Sequence, residues 1–382
     1  MAFAASPASL TRPHSPAPSW RERWVGLRNR LLMDPRFQAW AARFPLTRGV
    51  VAQRAEALFD VVVGFVYAKV AAACVELKIL EVLASGPMDA SALGALVELP
   101  PQGAETLFKA AAALGLVERL DRDRIALGPQ GAALLATPGL RDVIAHHGLL
   151  YADLNDPVAF FRGAQPGRLA AFWPYAGAQA PREVGADDAA AYSTLMARTQ
   201  PMAAAQILAA YPVERAQAIM DVGGGEGAFL IAAAHKATTS RLVLFDVPAV
   251  AARAEKAFRD SGLADRATVC AGDFHRDALP RGADLITLVR VLHDHDDDEA
   301  LALLRKAHAA LPSGGRLLVA EQMGGRSAVS DAFFNIYLRS MGTGRARAPQ
   351  EVCDMLRAAG LRQVRRIVPP TPLLIELIEA RA

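Results

Sequence analysis

The spacing of apolar residues divides the chain into a helical half and an α/β half. Over residues 51–84 they recur at helical intervals in one long run, which ASGP ends, since glycine and proline punctuate helices. Residues 91–98 and 104–114 read as two shorter helices and LVERLDRDRIAL as a hairpin, which together is winged-helix order. Residues 140–212 are helical again and carry Tyr151, Phe160, Phe161, Phe172, Trp173, Tyr175 and Tyr192, with Met196 and Met202 following. Such side chains suit either plain core or a pocket for a large apolar ligand. From Ala218 onward AIMDV, RLVLFDV, ATVCAGD, ADLITLV and GRLLVAEQ are strand-length apolar runs separated by helical segments, the pattern of a parallel α/β sheet. A last helix over residues 349–359 and β-rich runs over 362–368 and 373–380 would close it.

Length and composition sharpen this division. At 382 residues, with 52% hydrophobic and 21% charged residues, the chain is long enough for two domains and is neither collagen, coiled coil nor wholesale disorder. The expected parts are a disordered leader and basic arm over 1–50, a winged-helix-like domain over 51–145, and the aromatic helices with the α/β domain over 146–382. Three scattered cysteines, Cys74, Cys270 and Cys353, give neither a disulfide framework nor zinc-ligand spacing, so a reducing cytoplasmic setting is expected. The first twenty residues lack the basic and apolar regions of a secretory signal. The apolar stretch over 61–75 is interrupted by Lys69 and shorter than the roughly 20 residues a bilayer span needs, so no transmembrane helix is expected.

Residues 20–54 hold eight arginines against only Glu22 and Asp34, interleaved with Trp20, Trp24, Phe37, Trp40 and Phe44. Two readings stay open: a helical arm packed on the body or on a partner subunit, and a peripheral contact with an anionic membrane surface. A formal net charge of +3 does not argue for nucleic acid. Within residues 88–127 six acidic residues outnumber four basic ones, which makes the winged-helix region a poor partner for phosphate. Its helices carry more apolar faces than one small core needs, so burial against a second subunit is the better account.

The candidate chemistry lies at the carboxyl ends of the strands. Asp221-Val-Gly-Gly-Gly-Glu-Gly227 ends the first strand and opens a helix; glycines there let backbone N–H groups approach a ligand closely. Read as Gly223-x-Gly225-x-x-Ala228, the turn also fits a dinucleotide fingerprint. Its surroundings decide, since Asp246 ends the second strand and Asp273-Phe274 follows the third. Asp246 is placed to hold both ribose hydroxyls, Asp273 to accept from an adenine amino group, and Phe274 to stack on the ring. His293 follows the fourth strand, where an imidazole can take a proton from an acceptor hydroxyl.

With these residues assembled, the chain resembles the S-adenosylmethionine-dependent small-molecule O-methyltransferases that carry a winged-helix dimerisation domain. The motifs that carry the resemblance are DVGGGEG, FDVP, GDF, RVLHDHDDDE and PSGGRLL. FPLTR at 44–48, HHGLLYADL at 146–154, FWPYA at 172–176 and YSTLMARTQ at 192–200 look, more narrowly, like the acyclic hydroxycarotenoid O-methyltransferases of purple photosynthetic bacteria. The resemblance implies a Rossmann-like methyltransferase domain, a homodimer, S-adenosylmethionine as cofactor, and methylation of a tertiary carotenoid hydroxyl. It implies His293 as base, Glu321 as the acid that orients the imidazole, and Arg290 as a contact to the cofactor's carboxylate. One departure stands out: a glutamate in the family's G-K/R-E-R-T stretch is replaced here by Ala346, which predicts weaker acid support for His293.

Alternatives are a methyltransferase for a polyketide, a phenol or a bacteriochlorophyll precursor, and, in another class, a non-catalytic winged-helix regulator that senses a small molecule. A dehydrogenase is disfavoured because no second catalytic domain follows. His293, His295 and Asp294 to Asp298 suggest a divalent metal site only weakly, since consecutive residues point in different directions and the aspartates suit the start of the next helix. No metal is expected. The cysteine usage places the enzyme in the cytoplasm, and an apolar acceptor would add peripheral contact to the inner or intracytoplasmic membrane.

Overall fold

The computed structural model describes residues 19–137, 139–163, 167–172, 186–325, 327–370 and 375–382, and side chains within 186–210 from Met196 onward. The leader, Trp173, Tyr175 and the Tyr192 side chain lie outside the described residues. The chain divides into two units, 1–70 and 71–382.

In the first unit, helix Trp20–Met33 opens with a capping box: Ser19 Oγ accepts from the Glu22 N–H and the Glu22 carboxylate accepts from the Ser19 N–H. Asp34 caps helix Pro35–Arg43, whose proline sits where no donor is needed. Trp40 stacks on Phe44 at 5.1 Å and meets Phe37 at a tilt, 5.7 Å away, yet Trp20, Trp24 and Trp40 remain 80, 58 and 53% exposed. Helix Arg48–Glu76 begins here and ends in the second unit. Its 29 residues include an 18-residue window of mean hydropathy 2.0 that is 11% buried, long and apolar enough to cross a membrane by length and composition. The run expected over 51–84 is thus one helix to Glu76, a break at Lys78 and a short helix Ile79–Ala84, and its apolar stretch is longer than the 61–75 measured against a bilayer from the sequence.

The second unit opens with the expected winged-helix order. Lys78, at φ 55°, separates the long helix from Ile79–Ala84. Helices Ala90–Leu96 and Pro101–Ala113 follow, with β1 (Met88–Asp89), β2 (Val117–Leu120) and β3 (Arg124–Leu127) paired antiparallel in the order β1-β3-β2. Helices Leu140–Asp153, Pro157–Arg162, Arg168–Phe172 and Ala186–Ala210 lead into the sheet.

That sheet contains β4 (Ala218–Val222), β5 (Arg241–Asp246), β6 (Ala267–Ala271), β7 (Leu285–Val289), β8 (Arg316–Glu321), β9 (Arg362–Ile367) and β10 (Glu376–Arg381), in the order β6-β5-β4-β7-β8-β10-β9. The first five run parallel, and β10 is antiparallel to both β8 and β9. Every residue of β4 and β7 is buried, as continuous apolar runs covered on both faces require. Ile207, Phe229 and Phe258 pack on one face, and Leu303, Leu304, Val352 and Leu356 on the other. The winding direction reverses between β4 and β7. A crevice forms at the carboxyl ends of the strands at such a point, and it is where open α/β sheets take ligands.

Candidate active site

The glycine turn after β4 forms one wall of a cleft lined by Gly223, Gly225, Asp246, Asp273, Phe274 and Arg290, six residues that the sequence had placed together. Gly223 and Gly227 have φ of 70 and 82°, and a Cβ on either would come within 2.9 Å of Val291 or 2.7 Å of the Phe258 ring. Only glycine fits there without strain. Asp246 is fixed at the end of β5 by the Gly225 N–H at 2.8 Å and the Val247 N–H at 2.7 Å. Burial pushes its carboxyl up to about 6 against those two donors, so it remains largely ionised at neutral pH.

On the opposite wall, Asp273 Oδ1 accepts from the His275 N–H, while Oδ2 is buried without a hydrogen-bond partner, 3.8 Å from Arg276. That orphaned acceptor fits an amino group brought by a ligand. Lys306, from helix Asp297–Ala310, donates to the carbonyls of Phe274, His275 and Asp277 at 2.7–3.0 Å and so fixes the loop that carries the Asp273–Phe274 pair. Arg290 adopts φ 59°, uncommon for a side-chain-bearing residue, and donates to Thr199 Oγ1 and Gln200 Oε1. Asp221 does not line the cleft. It lies beneath Gly224, bonded to Thr287 Oγ1 at 2.6 Å, and burial raises its carboxyl to about 7.

His293 sits in a short 3-10 turn, Leu292–Asp294, and is buried. Its Nδ1 bonds to Glu321 Oε2 at the end of β8, and Glu321 Oε1 accepts from the Val291 and Leu292 N–H groups at 2.8 and 2.7 Å. The acid thus fixes both the ring and the backbone beneath it. Ala346 leaves the family's second acid missing, yet Asp294 Oδ1 lies 3.1 Å from Nε2, unaligned as a hydrogen bond but within ion-pair reach. Burial alone would lower the imidazole; Asp294 and Glu321 outweigh it and push His293 up to about 10. Asp294 thus supplies a second acid beside the ring where Ala346 supplies none. Asp294 and His295 line the cleft, and His293 itself packs edge-on against Phe334 at 5.1 Å.

Like Lys306, two residues that support His293 were not found from sequence. Arg347, buried, donates to the carbonyls of Leu292 and His295 and pairs with Asp297, bracketing His293 from some 50 residues away. Gly344, at φ 76°, approaches so closely that a Cβ would stand 2.0 Å from the His293 carbonyl oxygen. Of the aspartates expected to start the next helix, Asp296 is the N-cap residue and Asp297 and Asp298 open its first turn, whereas Asp294 turns to His293. Gly344→Ala is expected to lower stability by about 1–3 kcal/mol, read by urea unfolding; an unchanged midpoint would show that the His293 loop does not depend on this contact.

Residues 151–362 match the O-methyltransferase domain and residues 59–137 the O-methyltransferase dimerisation domain; the latter supports a homodimer. The chain is 41% identical over 342 residues to demethylspheroidene O-methyltransferase of Cereibacter sphaeroides, covering 88% of this chain and 89% of that one. The protein of that name from Rhodobacter capsulatus is 39% identical over 93 and 89% of the two chains. Human N-acetylserotonin methyltransferase, solved in complex with SAM, superposes with a TM-score of 0.73 at 23% identity over 86% of this chain and 97% of that one, a likeness of fold. The chain belongs to the S-adenosylmethionine-dependent O-methyltransferases that carry an N-terminal dimerisation domain.

Proposed function

We propose that the protein transfers a methyl group from S-adenosylmethionine to the tertiary hydroxyl of an acyclic hydroxycarotenoid, with His293 as base. What supports this acceptor is the similarity, over most of the chain, to two demethylspheroidene O-methyltransferases. The regulator reading falls with family membership. In this account residues 1–50 are leader and arm, 51–145 the dimerisation domain, and 146–382 the catalytic domain with its acceptor helices.

The cofactor supplies a methyl on a sulfonium, which leaves as a neutral thioether when the acceptor oxygen takes the methyl. The chain's own residues bind, orient and take the proton. Asp246 would accept from both ribose hydroxyls, Asp273 from the adenine amino group, Phe274 would stack on the base, and Arg290 would meet the carboxylate; Asp221 and the glycines Gly223 and Gly225 shape the turn. Glu321 holds the imidazole through Nδ1, and Nε2, which stands 3.1 Å from Asp294 Oδ1, takes the acceptor's proton once the hydroxyl replaces that carboxylate as its partner. Before it acts, the ring must be neutral. A second cation bound in the adjoining cleft disfavours the imidazolium, so cofactor binding should release a proton from His293.

Asp246→Ala should lose most cofactor affinity, since hydrogen bonds to an ionised acceptor are each worth on the order of 1.5–3 kcal/mol. Calorimetric titration with S-adenosylmethionine measures this, and unchanged affinity in a folded variant removes Asp246 from the site. His293→Ala should keep cofactor binding and lose turnover of a hydroxycarotene by roughly two to four orders of magnitude. In the parent enzyme, turnover should rise with pH as the imidazolium is lost, a limb absent from the variant. Mass gain by one methyl, tested over hydroxylated carotenes, phenols and tetrapyrroles, decides the acceptor; methylation of phenols alone would overturn the carotenoid reading.

We place the protein in the cytoplasm, at the periphery of the membrane from which so apolar an acceptor is drawn. The arginines and exposed tryptophans of the arm suit an anionic lipid surface. Co-sedimentation with anionic vesicles should weaken with salt and fall sharply once residues 1–54 are removed, in protein that remains dimeric and still binds cofactor. Equal sedimentation of full-length and shortened chains would leave the arm a packing element.

A further inference from the structure

The cleft leaves one conspicuous motif unused, the HHGLLY run at 146–151. It lies in helix Leu140–Asp153, where His146 Nε2 is 2.9 Å from the hydroxyl of Tyr337 on helix Ala328–Met341. One turn before Tyr337, and therefore on the same helix face, stands Phe334, whose ring packs against His293. Tyr337 also lies in the electrostatic field of Asp294 and Arg290, both of which line the cofactor cleft. Its surroundings are otherwise apolar: Phe334 and Tyr337 pack with Leu169, Leu338, Met341 and Met196, and Phe172 lies 4.8 Å from the His146 ring.

A phenol and an imidazole in an apolar cluster beside His293 cost desolvation that an all-apolar contact of the same shape would avoid. Few, well-placed polar groups in an apolar lining are what fix a ligand's orientation. We propose that the Tyr337 hydroxyl, oriented by His146, donates a hydrogen bond to the acceptor oxygen and holds it for His293. This rests on the reading of the acceptor as a long apolar chain with a hydroxyl.

Hydrogen-bond accounting supports the arrangement. Burial pushes His146 down to about 4, so the ring is neutral and has one N–H and one bare nitrogen. With Nε2–H donating to the phenol oxygen, the phenolic O–H is free for a second partner; burial raises the Tyr337 phenol and keeps it protonated. The acceptor's hydroxyl then gives its proton to His293, accepts from Tyr337 through one lone pair, and attacks with the other. Along a polyene one apolar segment packs much like the next, so the hydroxyl is the group able to set register. One hydrogen bond at the hydroxyl therefore decides whether the oxygen sits in line with the methyl, so its loss acts on turnover more than on binding.

Tyr337→Phe should lower kcat for a hydroxycarotene about 10- to 100-fold, with KM, S-adenosylmethionine affinity and melting temperature close to those of the parent. His146→Phe should reproduce much of that loss, and His146→Gln, which retains an N–H donor, should recover most of it. Unchanged kcat in Tyr337→Phe overturns the proposal. So does a loss of folding or of cofactor affinity in both Tyr337→Phe and His146→Phe, which would make the pair a clasp between two helices. If the parent enzyme methylates no hydroxycarotene, the acceptor reading has failed instead, and the same variants are read on whichever hydroxylated acceptor the parent does turn over.

Discussion

A buried imidazole between two carboxylates is the constraint on which the active site depends. His293 has Glu321 on Nδ1 and Asp294 on Nε2, and a buried charge is tolerated only when paired and bonded. The consequence reaches outward: Glu321 ties down the Val291 and Leu292 amides, Arg347 the Leu292 and His295 carbonyls, and Gly344 packs where no side chain fits. Because the folded value stands above the free value of about 6.5, the pairing contributes stability that is fully present below that pH. It is lost as pH rises through about 10.

The same charge balance links the two halves of the reaction. A site poised with a net negative set of three groups attracts a cation, and the cofactor brings one. Its arrival is expected to free the imidazole of the proton that the carboxylates held, so that, in the proposed role of His293 as base, the ring becomes competent when the methyl donor is in place. In the proposed reading, the glycine turn, Asp246 and the Lys306-anchored loop would position that donor.

Much of this was legible in the sequence because it is local. A glycine turn after a strand, acids ending consecutive strands, and an acid-flanked histidine after the fourth strand announce themselves within a few residues, and the parallel strands read as uninterrupted apolar runs. What was not legible depends on partners distant in sequence. Arg347 and Lys306 look like solvated charges until the fold brings them 55 and 32 residues back onto the loops they hold. His146 and Tyr337, 191 residues apart, share no local pattern. Asp294 read as the start of a helix because aspartate favours both helix starts and ion pairs, and only the 3-10 turn separates the two. The long helix was read through to residue 84 because nothing local marks the left-handed turn at Lys78, and its apolar stretch was underestimated because charged residues were taken as its bounds.

The charge on His293 tests this account most directly. A pH titration of its ring resonances by NMR in the cofactor-free protein, assigned by comparison with His293→Ala, should show an imidazolium at neutral pH with a midpoint near 10, falling when Glu321 is replaced by Gln. A midpoint at or below the free value of about 6.5, unmoved by that replacement, would contradict the claim that the two carboxylates govern the site.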